Sequence, residues 1–264
     1  MRRWDEFVRG QLDGGAVAAR NGDRPVVARF GDLRREHAAL SDGPALVDRS
    51  YRGLLEASGA DRATWLHSIA TNQVTTLQVG EGNYAFVLSA NGRLVFDVNV
   101  LVCAEAVWLD IDRAAADAAV AHLSKHIIME DVALTDRSDE FIRLGLTGER
   151  AKDVAVGLGA PHAANLPLLG HTTLTCDGVT ITVLRSDLCG SFALELFVAS
   201  DRAVDVYHAL TDGRFAPAAM PVGADAVRIR RIEAGLPRYG AELHADVVPA
   251  ETGRCDRAVS TNKG

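Results

Sequence analysis

The sequence predicts an α+β fold of antiparallel sheets, in duplicated split-βαβ-like halves. Three observations carry this expectation. Short apolar runs outnumber helical stretches, an Asn-Gly pair joins two of the runs, and the order strand, helix, hairpin, strand, helix occurs before about residue 145 and again after it. Tight hairpins in place of long crossovers imply antiparallel neighbours.

Residues 1–44 are polar, Gly-rich and interrupted, with Val26 to Phe30 as their one strand candidate, and read as an N-terminal extension covering a rim. Residues 45–145 form the expected first half. Strands are predicted at 45–48 and 52–57, then a helix at 61–70 with Asp61 as N-cap and Trp65, Leu66 and Ile69 on its buried face. Runs 84–88 and 94–98 flank Asn91-Gly92, a strong hairpin signal; 98–102 extends the second arm and 106–111 pairs onward. A helix at 113–125 and strands at 131–134 and 141–146 follow. Residues 146–264 form the second half, with a helix at 149–158, strands at 172–174, 179–184 and 194–198, and helices at 202–210 and 224–234. Along the last helix Val222, Ala226, Ile229 and Ile232 share a face, Gly235 suits a left-handed cap and Pro237 forbids continuation.

The chain has 264 residues, enough for one large or two modest domains at ~150 residues each. A formal net charge of −7 argues against a general nucleic-acid or anionic-membrane binder. No apolar segment approaches the ~20 residues that span a bilayer, and the start is not a secretory signal. The cysteines Cys103, Cys176, Cys189 and Cys255 form no Cys-x-x-Cys pair, so a cytoplasmic protein with reduced thiols is expected. His122 and His126 lie one helical turn apart but lack the zincin Glu and a third ligand, so no metal site is expected. Nucleophile elbows, P-loops and dinucleotide fingerprints are all missing.

What remains is a carboxylate-lined pocket. Asp97 interrupts the apolar run Leu94 to Val98, on one face with Val95 and opposite Phe96; it is either a solvent-facing position or a pocket acid. Glu195 alternates with apolar residues in the same way, and both readings stay open for it too. If buried it needs donors, and the ring N–H and exocyclic amine of a pterin form a pair that one carboxylate accepts bidentately. Arg231, beside Arg228 and Arg230, either meets an anionic tail or belongs to a solvated helix face.

Five stretches, in order, resemble the T-protein of glycine cleavage and its YgfZ-type relatives. They are Ala45 to Ser50, Trp65 to Val74, Gly82 to Asp97, Gly190 to Glu195, and Arg-Ile-Glu-Ala-Gly-Leu-Pro-Arg-Tyr-Gly from Arg231 to Gly240. The resemblance implies the T-protein/YgfZ folate-binding fold and a tetrahydrofolate pocket. By position Glu195 holds the pterin edge, Asp97 approaches the reactive folate nitrogens as the catalytic group, Tyr84 lines the ring and Arg231 orients the carboxylates or tail.

Phe96 replaces the first of the paired acids of T-proteins, Ser191 replaces the Glu of their Gly-Glu-x-Gly segment, and Val227 stands where many carry Arg. These departures resemble the YgfZ-like branch. So does the tail, which stops at Lys263-Gly264, the first two residues of that branch's Lys-Gly-Cys motif, without its C-terminal β-barrel. The expectation is therefore a YgfZ-like tetrahydrofolate-binding protein with iron–sulfur client or assembly proteins as partners. The alternative is a folate-dependent aminomethyl- or methyl-transferase.

Overall fold

The computed structural model describes residues 2–21 and 24–263; Met1, Gly22 and Asp23 of the expected extension, and Gly264 of the terminal Lys-Gly pair, lie outside the described residues. In chain order the elements are α1 (Arg2–Asp13), β1 (Val17–Asn21), β2 (Arg24–Arg29), α2 (Leu33–Asp42), β3 (Ala45–Asp48), β4 (Arg52–Ser58), α3 (Arg62–Ile69), β5 (Gly82–Leu88), β6 (Leu94–Val102), β7 (Ala106–Asp112), α4 (Ala116–Leu123) and β8 (Ala133–Asp136). They continue as β9 (Phe141–Thr147), α5 (Ala151–Gly157), β10 (His171–Cys176), β11 (Val179–Ser186), β12 (Ala193–Ala199), α6 (Ala203–Thr211), β13 (Met220–Val222), α7 (Ala224–Glu233) and α8 (Cys255–Ala258). The α+β expectation holds.

The expected linear division gives way to an interleaved one. One compact unit contains residues 1–51 and 139–236, the other 52–138 and 237–264. The cause is pairing across long sequence separations: β3 enters the sheet of β9, with Leu46 opposite Leu146. The first 44 residues are also no rim cover. Trp4, Val8 and Val27 belong to the same core as Leu144, Leu196 and Tyr207.

The duplication is plain in the order of elements. The second unit runs β4-α3-β5-β6-β7-α4-β8 and forms an antiparallel sheet of order β5-β6-β7-β4-β8. The first unit repeats it as β9-α5-β10-β11-β12-α6-β13, with order β10-β11-β12-β9-β3-β13; β3 is inserted, and β13 joins it in parallel. In each sheet one face packs an apolar core. Leu55, Val98, Val100, Leu109 and Ile111 form it with α3 and α4, and Ile142, Leu144, Leu194, Leu196 and Val198 form it with α5 and α6.

Two local expectations need correction. Asp61 precedes α3 but does not cap it; its carboxylate accepts Asp131 N–H at 2.8 Å instead. On α7, Ala226 and Val227 are buried whereas Ile229 and Ile232 are exposed, because the packed face turns toward α2 and Leu40. The expected stop is present. Gly235 adopts φ 64°, Leu236 N–H reaches Arg231 O at 2.8 Å and Gly235 N–H reaches Ile232 O at 3.0 Å, a Schellman pattern.

Candidate functional site

Each sheet has a second face, opposite its helix-packed core, and both sequence-predicted carboxylates sit there. Side chains alternate along a strand, so residues directly paired across strands share a face. In the second unit Tyr84 pairs with Asn99, Phe86 with Asp97, Asn99 with Asp110 and Arg52 with Asp112. That face is polar and yet buried. Asp97, Asp110 and Asp112 are 7%, 0% and 3% exposed, so the solvent-facing reading of Asp97 fails. The 237–264 segment covers part of the face, with Leu243 and Ala258 against Phe86 and Arg254 at 5.7 Å over the Tyr84 ring.

The three buried acids differ in their partners. Asp110 takes Arg52 Nε at 2.8 Å on Oδ1 and Asn99 Nδ2 at 2.8 Å on Oδ2, while Arg52 Nη2 also donates to the Asp110 carbonyl at 2.9 Å. Asp112 takes Ala114 N–H at 3.0 Å and Arg238 Nε at 3.1 Å. Among the described residues Asp97 takes the Tyr84 hydroxyl, which donates to Oδ2 at 3.1 Å, while no donor in hydrogen-bond geometry reaches its buried Oδ1. Burial pushes the Asp97 carboxyl above the ordinary carboxylate range, Arg52 and the Tyr84 hydroxyl pull it back, Asp112 adds to the rise and the residue's own backbone N–H opposes it weakly. Burial and then the Asp97 charge raise the Tyr84 phenol. Burial works against the Arg52 charge, but Asp110 with Asp97 and Asp112 carries its pKa above the usual value. A buried acceptor oxygen without a protein donor is the feature a ligand N–H can satisfy.

In the first unit Glu195 on β12 is 2% exposed, so its solvent-facing reading fails as well. It is charge-compensated. Arg143 Nη2 reaches Oε2 at 2.5 Å and Arg49 Nη2 reaches Oε1 at 3.1 Å. Arg143, from the neighbouring strand β9, stacks its guanidinium 4.2 Å from the centre of the Phe197 ring, and Arg49 donates to the Tyr51 hydroxyl. Gly145 lies opposite Glu195, and a Cβ there would come within 3.2 Å of Arg49 Cγ, so the glycine makes room for this arginine. Arg231, also of this unit, is half-buried and turns back to its own helix end, Nη1 donating to the Leu236 carbonyl at 3.0 Å.

Tyr84 and Asp97 are thus brought together, and Glu195 and Arg231 belong to the other unit. The sequence reading missed Arg52, Asn99, Asp110, Asp112 and Arg238 around Asp97, and Arg49 and Arg143 around Glu195. A signal existed: Asp110 and Asp112 alternate with Leu109 and Ile111, and Arg143 stands alone within Phe-Ile-Arg-Leu-Gly-Leu. Among the described residues no His, Cys, Asp and Glu group could hold a metal, and no helix is long and apolar enough to cross a membrane. All four cysteines are free of disulfides. Burial pushes the Cys189 thiol up to about 11, against the charges of Arg49, Arg230 and Arg231, so it is not set up as a thiolate.

Comparison with known proteins agrees with this architecture. The chain is 28% identical over 237 residues to an aminomethyltransferase of Bacillus cytotoxicus, covering 89% of this chain and 64% of the relative. It is 30% identical over 237 residues to that of Bacillus licheniformis, covering 89% and 65%. It therefore spans somewhat less than two thirds of these relatives' length. The solved structure of glycine cleavage system aminomethyltransferase T from Bartonella henselae superposes with a TM-score of 0.84 at 20% identity, over 97% of this chain and 69% of that one, so the fold is shared. The model of the GCVT N-terminal domain matches residues 15–263, nearly the whole sequence, and the chain belongs to that family.

Proposed function

We propose that this chain binds a reduced folate through Asp97 and takes part in moving the one-carbon unit of an aminomethyl donor onto it, the donor's amine leaving as ammonia. The observation that carries the reading is Asp97 Oδ1, a buried carboxylate oxygen that no donor satisfies. The reduced ring of tetrahydrofolate presents N–H donors, which fit such an oxygen. A bound folate would supply the nitrogen that receives the one-carbon unit. Asp97 would accept that N–H, and a carboxyl raised toward neutrality by burial suits a group that takes up the proton. Tyr84 holds the other oxygen and so fixes which one faces the ligand.

Glu195 is kept as acceptor for the pterin edge, with Arg49 and Arg143 each bonded to one of its oxygens; carboxylate oxygens each accept more than one N–H. Arg231 is kept for the carboxylates or tail. Each is a separate claim with its own variant. Both relatives compared carry the name aminomethyltransferase, which favours transfer chemistry. Nothing in the comparisons supports iron–sulfur clients or the YgfZ-like branch, and the alternative reading takes precedence.

Calorimetry with tetrahydrofolate tests the binding claim. Wild type is expected to bind, and Asp97→Ala to lose roughly 10- to 100-fold, the scale of one hydrogen bond to a charged group. Wild type without binding would end the proposal. A turnover assay for methylenetetrahydrofolate then separates transfer from binding alone.

A further inference from the structure

The three acids on the buried face of the second sheet share two guanidiniums unevenly. Arg238 serves Asp112, and Arg52 serves Asp110. Neither makes an ion pair with Asp97. Continuing the β6–β7 register by two residues sets Asp97 level with Asp112, and Asp112 pairs with Arg52 on the next strand, so these three side chains lie on one face, with Asp110 two residues from Asp112. Arg52 is hydrogen-bonded to Asp110 and, among the described residues, not to Asp97. It is held back by two hydrogen bonds to Asp110, whose second oxygen is in turn braced by Asn99.

We propose that Arg52 is a positioning residue: tethered by Asp110, it sets a fixed positive charge near Asp97 without closing on the acid's open oxygen. This rests on the reading of Asp97 as the folate acceptor. A guanidinium bonded directly to Asp97 would favour its charge but fill Oδ1; a face without Arg52 would push the carboxyl further up and make it a weaker acceptor. The tether separates these two effects. The other charged and titratable groups facing Asp97 are Tyr84 from β5, Asp110 and Asp112 from β7, and Arg238, Tyr239 and Arg254 from the 237–264 segment.

The test is a carbon-detected NMR titration of the Asp97 carboxyl in the full chain without ligand. In Arg52→Gln the Asp97 midpoint is expected to rise by about one pH unit or more, the usual influence of an opposite charge a few ångströms away. Arg52→Lys, which keeps the charge, should restore most of it. A purely structural role predicts a folded Arg52→Gln with its Asp97 midpoint unmoved, and that result overturns the proposal. Should Arg52→Gln fail to fold, Asp110→Asn decides. Releasing the tether should lower the Asp97 midpoint while weakening tetrahydrofolate binding at least about 10-fold, as expected when the acceptor oxygen is filled; a lowered midpoint with unchanged affinity refutes the tether. Wild-type calorimetry stays separate: absence of binding removes the folate reading, while the titration of Asp97 still judges Arg52.

Discussion

The two units build the same buried pair and surround it differently. In the second, Arg52 on β4 faces Asp112 on β7 and bonds Asp110, two residues back along that strand. In the first, Arg143 on β9 faces Phe197 on β12 and bonds Glu195, again two residues back. Aligning the repeats on these pairs, and counting along the paired hairpin strands, sets Asp112 level with Phe197 and Asp97 level with Thr182. One sheet face therefore places its arginine on an aromatic ring, and the other places it among additional acids. The first arrangement closes its charges locally; the second leaves one carboxylate unsatisfied. A duplicated scaffold thus yields one charge-paired cluster and one with an unpartnered carboxylate oxygen by changing two positions on adjacent strands.

Breaking the arginines gives the largest effects. Loss of one partner of a buried pair costs about 3–5 kcal/mol. Arg52→Met should lie near the upper end at neutral pH, since it takes a guanidinium from the face that buries Asp97, Asp110 and Asp112 together. The deficit should shrink on acidification, because carboxyls stripped of their counter-charge titrate higher when folded and the folded state then binds the extra protons. Arg143→Met should cost less, about 3 kcal/mol, because Arg49 still reaches Glu195. Urea unfolding of both variants at neutral and mildly acidic pH reads the order directly. Equal costs with equal pH slopes would mean that the two clusters are energetically alike, and the contrast between them would fail.

This contrast explains what the sequence made legible. Most strands and helices after residue 44 follow from local pattern: the Asn91-Gly92 hairpin, the apolar runs and the Gly235 stop are all visible within a few residues. The helix α1 was readable too, as Trp4, Phe7, Val8 and Leu12 keep helical spacing, but glycines and charges around it hid the signal. The three-residue strand β13 exists through its pairing with β3, which no local pattern announces. The same holds for the site. A polar residue alternating with apolar ones reads equally as solvated or buried, and Asp97 and Glu195 are buried because both faces of their sheets are covered. The arginines of these clusters come from far away in sequence, Arg52 58 positions from Asp110 and Arg143 52 positions from Glu195, and register rather than composition decides who meets whom.

The smallest predicted effect has the opposite sign and bears on Asp97 alone. Its folded pKa lies above the ordinary carboxylate value because burial disfavours the charge. The folded state thus holds the proton more firmly than the unfolded chain. Stability is full below the unfolded carboxylate value and is lost as pH rises from there through the raised folded value. Asp97→Asn removes that titration and gives Oδ1 or its replacement no charge to desolvate. The variant should therefore gain about 1 kcal/mol at neutral pH, roughly 2–4 °C in Tm for a chain of this size, and nothing in acid. The corresponding substitution of the compensated acid, Glu195→Gln, should lose stability at neutral pH, since two guanidiniums would be left facing an amide. Thermal melts of both at neutral pH would show shifts of opposite sign, and the gain of Asp97→Asn should vanish in acid. A neutral-pH loss in Asp97→Asn would mean that Asp97 is already satisfied in the apo protein, leaving no open oxygen for a folate nitrogen to fill.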